Sequence, residues 1–305
     1  MREIRLRRHG RLRLLLEDKR RMPMLGQVSL NTRKTIMEID KIYLGDCLEL
    51  MKEIPDKSID CIICDLPYGM TANKWDSVIP FEPLWEQYHR ICKPNAAIVL
   101  FAGQPFTSAL IMSNPKEFRH EWIWQKNRGS NFANTVREPM KEHEEIVVFS
   151  KGGWTYNKQM QKRAEGGLNR VQYGFNHVTS SENYRKFTTP QNPNAPTERV
   201  PSSIQKFNID VGKDHFHPTQ KPVDLVRYLI LTYSNEGDTI LDNCMGSGTT
   251  AIAAIREKRH FIGFELNEEY YEKAMNILKD YSNIDITFEW GKILLDGGFI
   301  KDSCE

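Results

Sequence analysis

From residue 41 onward, short apolar runs alternate with amphipathic stretches. Residues 41–44 and 60–64 read as brief strands, with a helical stretch at 47–52 between them. Residues 81–92 repeat apolar positions at helical spacing and stop before Lys93-Pro94-Asn95. Residues 97–101, 121–125 and 145–150 are further strand candidates, bounded by Gly, Pro and Asn. The texture changes at Lys151-Gly152-Gly153, and residues 151–215 are polar, with Pro190, Pro193, Pro196 and Pro201 crowded together. Such a stretch reads as an insertion outside the sheet core. Regularity returns with a helix at 222–233 that carries Pro at its start. A strand at 239–242, a helix at 249–257, a strand at 260–264 and a helix at 268–279 complete the pattern. Strands alternating with helices predict an α/β fold, a doubly wound and mostly parallel sheet.

Composition narrows this picture. In 305 residues, 40% are hydrophobic and 27% charged, which excludes a disordered, collagenous or small disulfide-stapled chain. No apolar run approaches the ~20 residues that span a bilayer, so no membrane partner is expected. The net charge of +2 is unevenly distributed. Residues 1–36 hold eleven basic and three acidic side chains, and 151–215 hold ten and five, leaving −11 elsewhere. Two basic segments on an acidic body suggest a polyanion touched at defined places. Residues 1–36 read as a tail, or as an upstream start before a domain that begins near Met37; as a basic arm they would add non-specific phosphate contacts. The six cysteines (47, 61, 64, 92, 244 and 304) are scattered. Cys61 and Cys64 have redox or zinc spacing, but no second pair accompanies them. Within an apolar run they read as strand-buried thiols of a reduced, cytoplasmic protein.

Two motifs carry chemistry. Asp242-Asn243-Cys244-Met245-Gly246-Ser247-Gly248-Thr249 lies between a predicted strand and a predicted helix. Gly246 and Gly248 permit a tight turn and close approach of backbone to a ligand at a helix N-terminus. Glu265 stands at the end of the next strand, where a carboxylate accepts ribose hydroxyls. Together these imply a nucleoside-containing cofactor. The second motif, Asp65-Leu66-Pro67-Tyr68, sits where the run 59–64 ends, the end of a parallel strand at which ligands bind. Asp65 and the Leu66 carbonyl, stiffened by Pro67, supply two acceptors for an exocyclic amine, and Tyr68 supplies a ring to stack on its base.

In this combination the chain resembles the β class of amino-group DNA methyltransferases, which use S-adenosylmethionine. The resemblance spans roughly residues 40–280. Asp65 to Tyr68 corresponds to the Asp-Pro-Pro-Tyr motif of that class, and Gly246 to Thr249 to the end of its cofactor loop. His217-Pro218-Thr219-Gln220-Lys221-Pro222 matches the segment before that loop. Gly45-Asp46-Cys47 matches an opening motif whose Asp and Cys contact the cofactor adenine, and Phe261 to Glu265 matches the ribose-binding strand. The resemblance implies a Rossmann-like methyltransferase sheet with permuted motif order, the amine motif preceding the cofactor loop. It assigns Asp65, Leu66, Pro67 and Tyr68 to catalysis. The cofactor falls to Asp46, Cys47, Lys221, Asp242, Cys244, Gly246, Ser247, Gly248, Thr249 and Glu265.

Two positions depart from the class. Leu66 replaces its first proline at a position that contributes only a carbonyl. Cys244 replaces its usual Phe, for which weaker cofactor affinity is the expected consequence. Adenine N6 is the expected target because Asp65 leads the tetrapeptide, where N4-cytosine relatives more often carry Ser. N4-cytosine is the alternative. No proline is followed by Cys, which excludes a C5-cytosine mechanism.

The layout implied is a basic tail (1–36), a first catalytic part (37–150), a target-recognition insertion (151–215), a second catalytic part (216–290) and a tail (291–305). In the insertion, Lys158, Lys162, Arg163, Arg170, Arg185 and Lys186 interleave with aromatic residues and are expected to contact DNA. The resemblance further implies a restriction–modification setting, with a homodimer and a cognate nuclease as partners. No metal is expected. A nicotinamide oxidoreductase would explain the glycine-rich loop and Glu265 but not residues 65–68. A DNA-binding module with a degenerate cofactor site is the remaining alternative.

Overall fold

The computed structural model describes residues 37–70, 76–164, 197–209 and 220–282. Its main sheet has eight strands in the order β1-β10-β9-β2-β3-β5-β4-β8. In chain order the first elements are β1 (Lys41–Leu44), α1 (Cys47–Leu50, continued as a 3-10 turn), β2 (Ile59–Asp65) and α2 (Phe81–Ile91). Next come β3 (Cys92–Ala102), α3 (Phe106–Ser113), β4 (Phe118–Ser130) and β5 (Lys141–Phe149). Three short strands follow, β6 (Gln161–Lys162), β7 (Glu198–Arg199) and β8 (Ile204–Lys206). The last elements are α4 (Val223–Tyr233), β9 (Thr239–Asp242), α5 (Thr249–Arg256), β10 (His260–Glu265) and α6 (Glu268–Ser282).

β2 shows why this sheet is doubly covered. Cys61 and Ile63 face a layer built from α4, α5 and α6, while Ile62 and Cys64 face α1, α2 and α3. A strand buried on both faces reads as an unbroken apolar run, as residues 59–64 do. Each fully buried isoleucine contributes about 1.5–3 kcal/mol. Cys61 and Cys64 are both buried and free, as strand thiols.

β1, β10, β9, β2 and β3 run parallel. β2 and β9 are neighbours, Ile62 opposite Leu241, although more than 170 positions of chain separate them. From β2 the chain proceeds outward to β3, and from β9 it proceeds outward to β10 on the other side. The boundary between β2 and β9 is therefore the switch point of the sheet, where ligands settle at the carboxyl ends. The permuted order puts the amine motif on one of these strands and the cofactor loop on the other.

The structure departs from the sequence pattern in four places. Lys93-Pro94-Asn95 follows the end of α2 as expected but lies inside a strand: β3 begins at Cys92, and the ladder skips from Ile59–Cys92 to Cys61–Ala97. Proline is tolerated there because the irregularity leaves its missing N–H without a ladder partner. α3 was not anticipated, since it buries only Phe106, Thr107 and Leu110. β4 and β5 form an antiparallel hairpin of 13 and 9 residues, longer than the apolar centres that marked them. Finally, β8 lies in the segment read as an insertion, yet pairs parallel with β4 at the edge of the main sheet.

Candidate active site

A cleft of about 900 Å³ opens at the carboxyl ends of β2 and β9. Asp46, Cys47, Asp65, Leu66, Pro67 and Tyr68 line it. Lys221, Asp242, Cys244, Gly246, Ser247, Thr249 and Glu265 line its wall as well, leaving out Gly248 of the sequence-predicted set.

One half is built on the β9–α5 turn. Asp242 accepts hydrogen bonds from the Cys244 backbone N–H at 3.0 Å and the Thr250 hydroxyl at 2.6 Å. Burial pushes its carboxyl up to about 6, against the pull of those donors. Gly248 caps α5 at φ +81°, a left-handed conformation that an L side chain adopts only under strain, and its Cα side abuts Ala274. Gly248 thus shapes the turn and does not line the cleft. The Ser247 and Thr249 hydroxyls are 2.9 Å apart and buried. Glu265 ties the turn to β10: one carboxylate oxygen accepts Gly246 N–H at 2.7 Å and the other Asn267 N–H at 2.8 Å. Burial raises its pKa, opposed by these backbone donors. Each oxygen keeps a lone pair for a further donor. Asp46 caps α1 through Leu48 N–H at 2.8 Å, which fixes the turn leading to Cys47. The free thiols of Cys47, Cys64 and Cys244 share one apolar cluster, and burial holds Cys64 protonated, pushed up to about 12. A small sulfur cluster therefore surrounds the position where the class usually has Phe.

The other half is a charged network. Asp65 ends β2 and accepts the Tyr68 hydroxyl at 2.8 Å. Its second oxygen lies 2.6 Å from the Lys221 ammonium, which is also 3.2 Å from Glu144. Glu144 in turn pairs with Lys126 at 2.5 Å. Burial pushes the Asp65 carboxyl up, and Lys221 opposes it. Burial alone would lower Lys221, but the two carboxylates outweigh it and hold the ammonium at about 12. Glu144 lies below the usual carboxylate range because its two lysines outweigh its burial. The Tyr68 ring stacks on Phe106, centroids 5.1 Å apart. Asp76 accepts the N–H groups of Gly69 and Met70 and so holds the turn after Tyr68.

Lys221 was assigned with the cofactor residues; the structure engages its ammonium with Asp65 and Glu144 at the junction of the two halves. Glu144 and Lys126 complete this network but were not assigned to the site from the sequence. Their only signal was two charges at strand positions that alternation turns inward.

The proposed DNA contacts are less concentrated. Lys158 and Lys162 are exposed and Arg163 is half-buried beside the β6–β7 pair, and none of the three lines the cleft. Arg170, Arg185 and Lys186 lie outside the described residues, as do His217 to Thr219 and both proposed tails. Trp154 and Tyr156, the first aromatics of that segment, instead pack against His120, and Tyr156 also meets Tyr233. Among the described residues no cluster of side chains fits a metal ion, and no helix is long and apolar enough to cross a membrane.

The fold and cleft define a doubly wound α/β protein in which the glycine-turn half and the charged half of the cleft meet at the switch point. A family model described as DNA methylase, covering the N6 and N4 enzymes, matches residues 59–276, and the chain belongs to that family. It is 28% identical over 263 residues to the type II methyltransferase M1.MboII of Moraxella bovis, covering 80% of this chain and 98% of that protein. It is also 28% identical over 256 residues to the DNA adenine methyltransferase YhdJ of Escherichia coli K12, covering 79% and 83%. Among solved structures, the M1.HpyAVI–SAM complex superposes with a TM-score of 0.53 at 23% identity, covering 78% of this chain and 98% of that one. The cytosine-N4-specific PvuII DNA methyltransferase gives 0.54 at 15% identity, covering 80% and 91%. At these identities the structural likeness is one of fold. Family membership decides against the nicotinamide oxidoreductase.

Proposed function

We propose that this DNA methyltransferase acts on the exocyclic N6 of adenine, with the base flipped into the cleft and S-adenosylmethionine as methyl donor. The observation that carries the reading is the junction at the switch point, where Asp65 and Tyr68 stand beside the Asp242–Thr249 turn and Glu265. The residues fit the cofactor: Glu265 retains lone pairs for ribose hydroxyls, and the Gly246 turn leaves room for backbone approach. When bound, S-adenosylmethionine supplies an already activated methyl group, so the protein's part is positioning and electrostatics.

Asp65 and the Leu66 carbonyl take the two N–H bonds of the target amine, turning its lone pair away from the ring. Burial raises the Asp65 pKa, and Lys221 opposes that rise and so favours the ionised, accepting form. Tyr68, backed by Phe106, stacks on the base and offsets part of the few kcal/mol that extrusion costs. Adenine is favoured over cytosine because Asp65 leads the motif, and the name of the Escherichia coli relative agrees. The exposed Lys158 and Lys162 are suited to phosphates, with the 151–215 segment as reader of the sequence. As its type II relative's name suggests, a restriction–modification setting in the cytoplasm, with a homodimer and a cognate nuclease as partners, fits this activity.

The test is mass spectrometry of nucleosides from DNA of a host expressing the chain. N6-methyladenine is expected, and N4-methylcytosine in its place would establish the alternative. Asp65→Ala should abolish methylation while leaving cofactor binding measurable; retained turnover would refute the role of Asp65.

A further inference from the structure

Between β4 and β5 the hairpin runs past the sheet: the ladder ends with Gln125 opposite His143, and pairing recurs only at Ser130–Lys141. Beyond it, residues 132–143 are all exposed. This loop is nevertheless built. Asn131 takes φ +71° and its side chain donates to Glu138. The Thr135 hydroxyl donates to the Phe132 carbonyl at 2.8 Å, and Arg137 N–H to the Asn134 carbonyl at 2.9 Å. The Met140 side chain packs over Gly129 at the base of the loop.

The loop presents Phe132, 66% exposed, at the wall of the same cleft that holds Asp65 and Tyr68. Among the described residues no ring contact engages Phe132, so its exposure serves no visible packing. Between Arg128 and Lys141 the loop carries three basic side chains against one carboxylate, on a body that is otherwise acidic. A large apolar side chain flanked by cations, at the mouth of a cleft that must receive a base, matches the chemistry of a duplex wedge. Such residues enter the stack at an opened step, while their basic neighbours hold phosphates.

We infer that Phe132 is the wedge of this enzyme, filling the space in the duplex vacated by the flipped base, with Arg128 and Lys141 steadying the backbone beside it. The inference rests on the methyltransferase reading and adds a second DNA-contacting surface to the 151–215 segment. A wedge acts only on the cost of opening a pair, so its loss should be cured by a target that has no pair to open.

The experiment uses two oligonucleotide duplexes containing the chain's own methylation site, found by methylation-sensitive sequencing of host DNA. One has the target base paired, and the other has it opposite an abasic residue. Single-turnover methylation is measured for the wild type, Phe132→Ala, Phe132→Trp and Val136→Ala. Val136 is 88% exposed on the same loop and does not line the cleft. Phe132→Ala is expected to slow the paired target by about tenfold to a hundredfold, yet stay within about threefold of wild type on the unpaired one. Phe132→Trp should retain most activity on both, and Val136→Ala should match wild type. Equal loss on both duplexes, or no loss on the paired one, overturns the wedge. Host DNA without a methylated site, or a wild type that methylates neither duplex, overturns the methyltransferase reading itself, so the two failures are distinct.

Discussion

Replacing Lys221 with methionine keeps the length of the side chain and removes one charge from the Asp65–Lys221–Glu144–Lys126 network. The lysine side chain is only 8% exposed, and those of Asp65 and Glu144 are 23% and 19% exposed. At an effective dielectric of about 20, contacts of 2.6 and 3.2 Å give gross attractions of about 6 and 5 kcal/mol. Desolvation of the ammonium offsets much of this, and breaking a buried pair typically costs about 3–5 kcal/mol net. The thermal midpoint should therefore fall by roughly 6–20 °C. The catalytic effect follows from sign. Burial and Glu144 already raise the Asp65 pKa, and Lys221, aided by the Tyr68 hydroxyl, opposes them. Without it the pKa rises further, and at neutral pH more of Asp65 carries a proton. A protonated carboxyl loses an acceptor for the amine, a charged hydrogen bond of about 1.5–3 kcal/mol, or roughly 10- to 150-fold in rate. In a labelled-methyl assay from about pH 6 to about pH 9, kcat should drop and its acid limb should move to higher pH, so that activity recovers with alkali. The KM for S-adenosylmethionine should change little. An unshifted acid limb, or a loss confined to that KM, would refute the reasoning and return Lys221 to the cofactor.

Two further outcomes test the other half of the cleft. Glu265→Gln places an amide donor against Gly246 or Asn267 N–H, so calorimetry should show cofactor affinity reduced by roughly tenfold or more, with DNA affinity unchanged; an unaltered Kd would remove Glu265 from the site. Asp242 titrates near 6 in the fold and near 3.9 when unfolded, so its contribution is fully present below about pH 4 and is lost as pH rises through about 6. That is on the order of 3 kcal/mol. Urea denaturation of Asp242→Asn should therefore show a flatter dependence across this window than wild type, and identical slopes would refute the burial of a shifted carboxyl.

What was legible along the chain is what local chemistry encodes. β9, α5 and β10 were readable to within a residue, because their apolar periodicity, glycine turn and terminal carboxylate are all local signals. The same holds for β2, whose burial on both faces leaves an unbroken apolar run, and for residues 65–68, which must follow the end of a strand to reach a ligand. α3 was illegible because three buried residues make no periodic stripe. The ends of β4 and β5 were illegible because charged residues break the apolar run although the ladder continues through them, and β8 because three residues on an edge strand carry no pattern.

Local chemistry along the chain was enough for the fold class and for placing residues 65–68 and the glycine turn at the switch point, since turn, strand end and helix start are properties of neighbouring residues. Tertiary structure alone decided which charges meet. Lys221 reaches Asp65 across 156 positions of sequence, and Glu144 and Lys126 join them only when the hairpin closes on β3. It also decided that Phe132, unremarked among its polar neighbours, stands at the mouth of the cleft. A side chain's propensity is local, but its partner is whatever the folded sheet brings within a few ångströms, and no spacing along the chain records that distance.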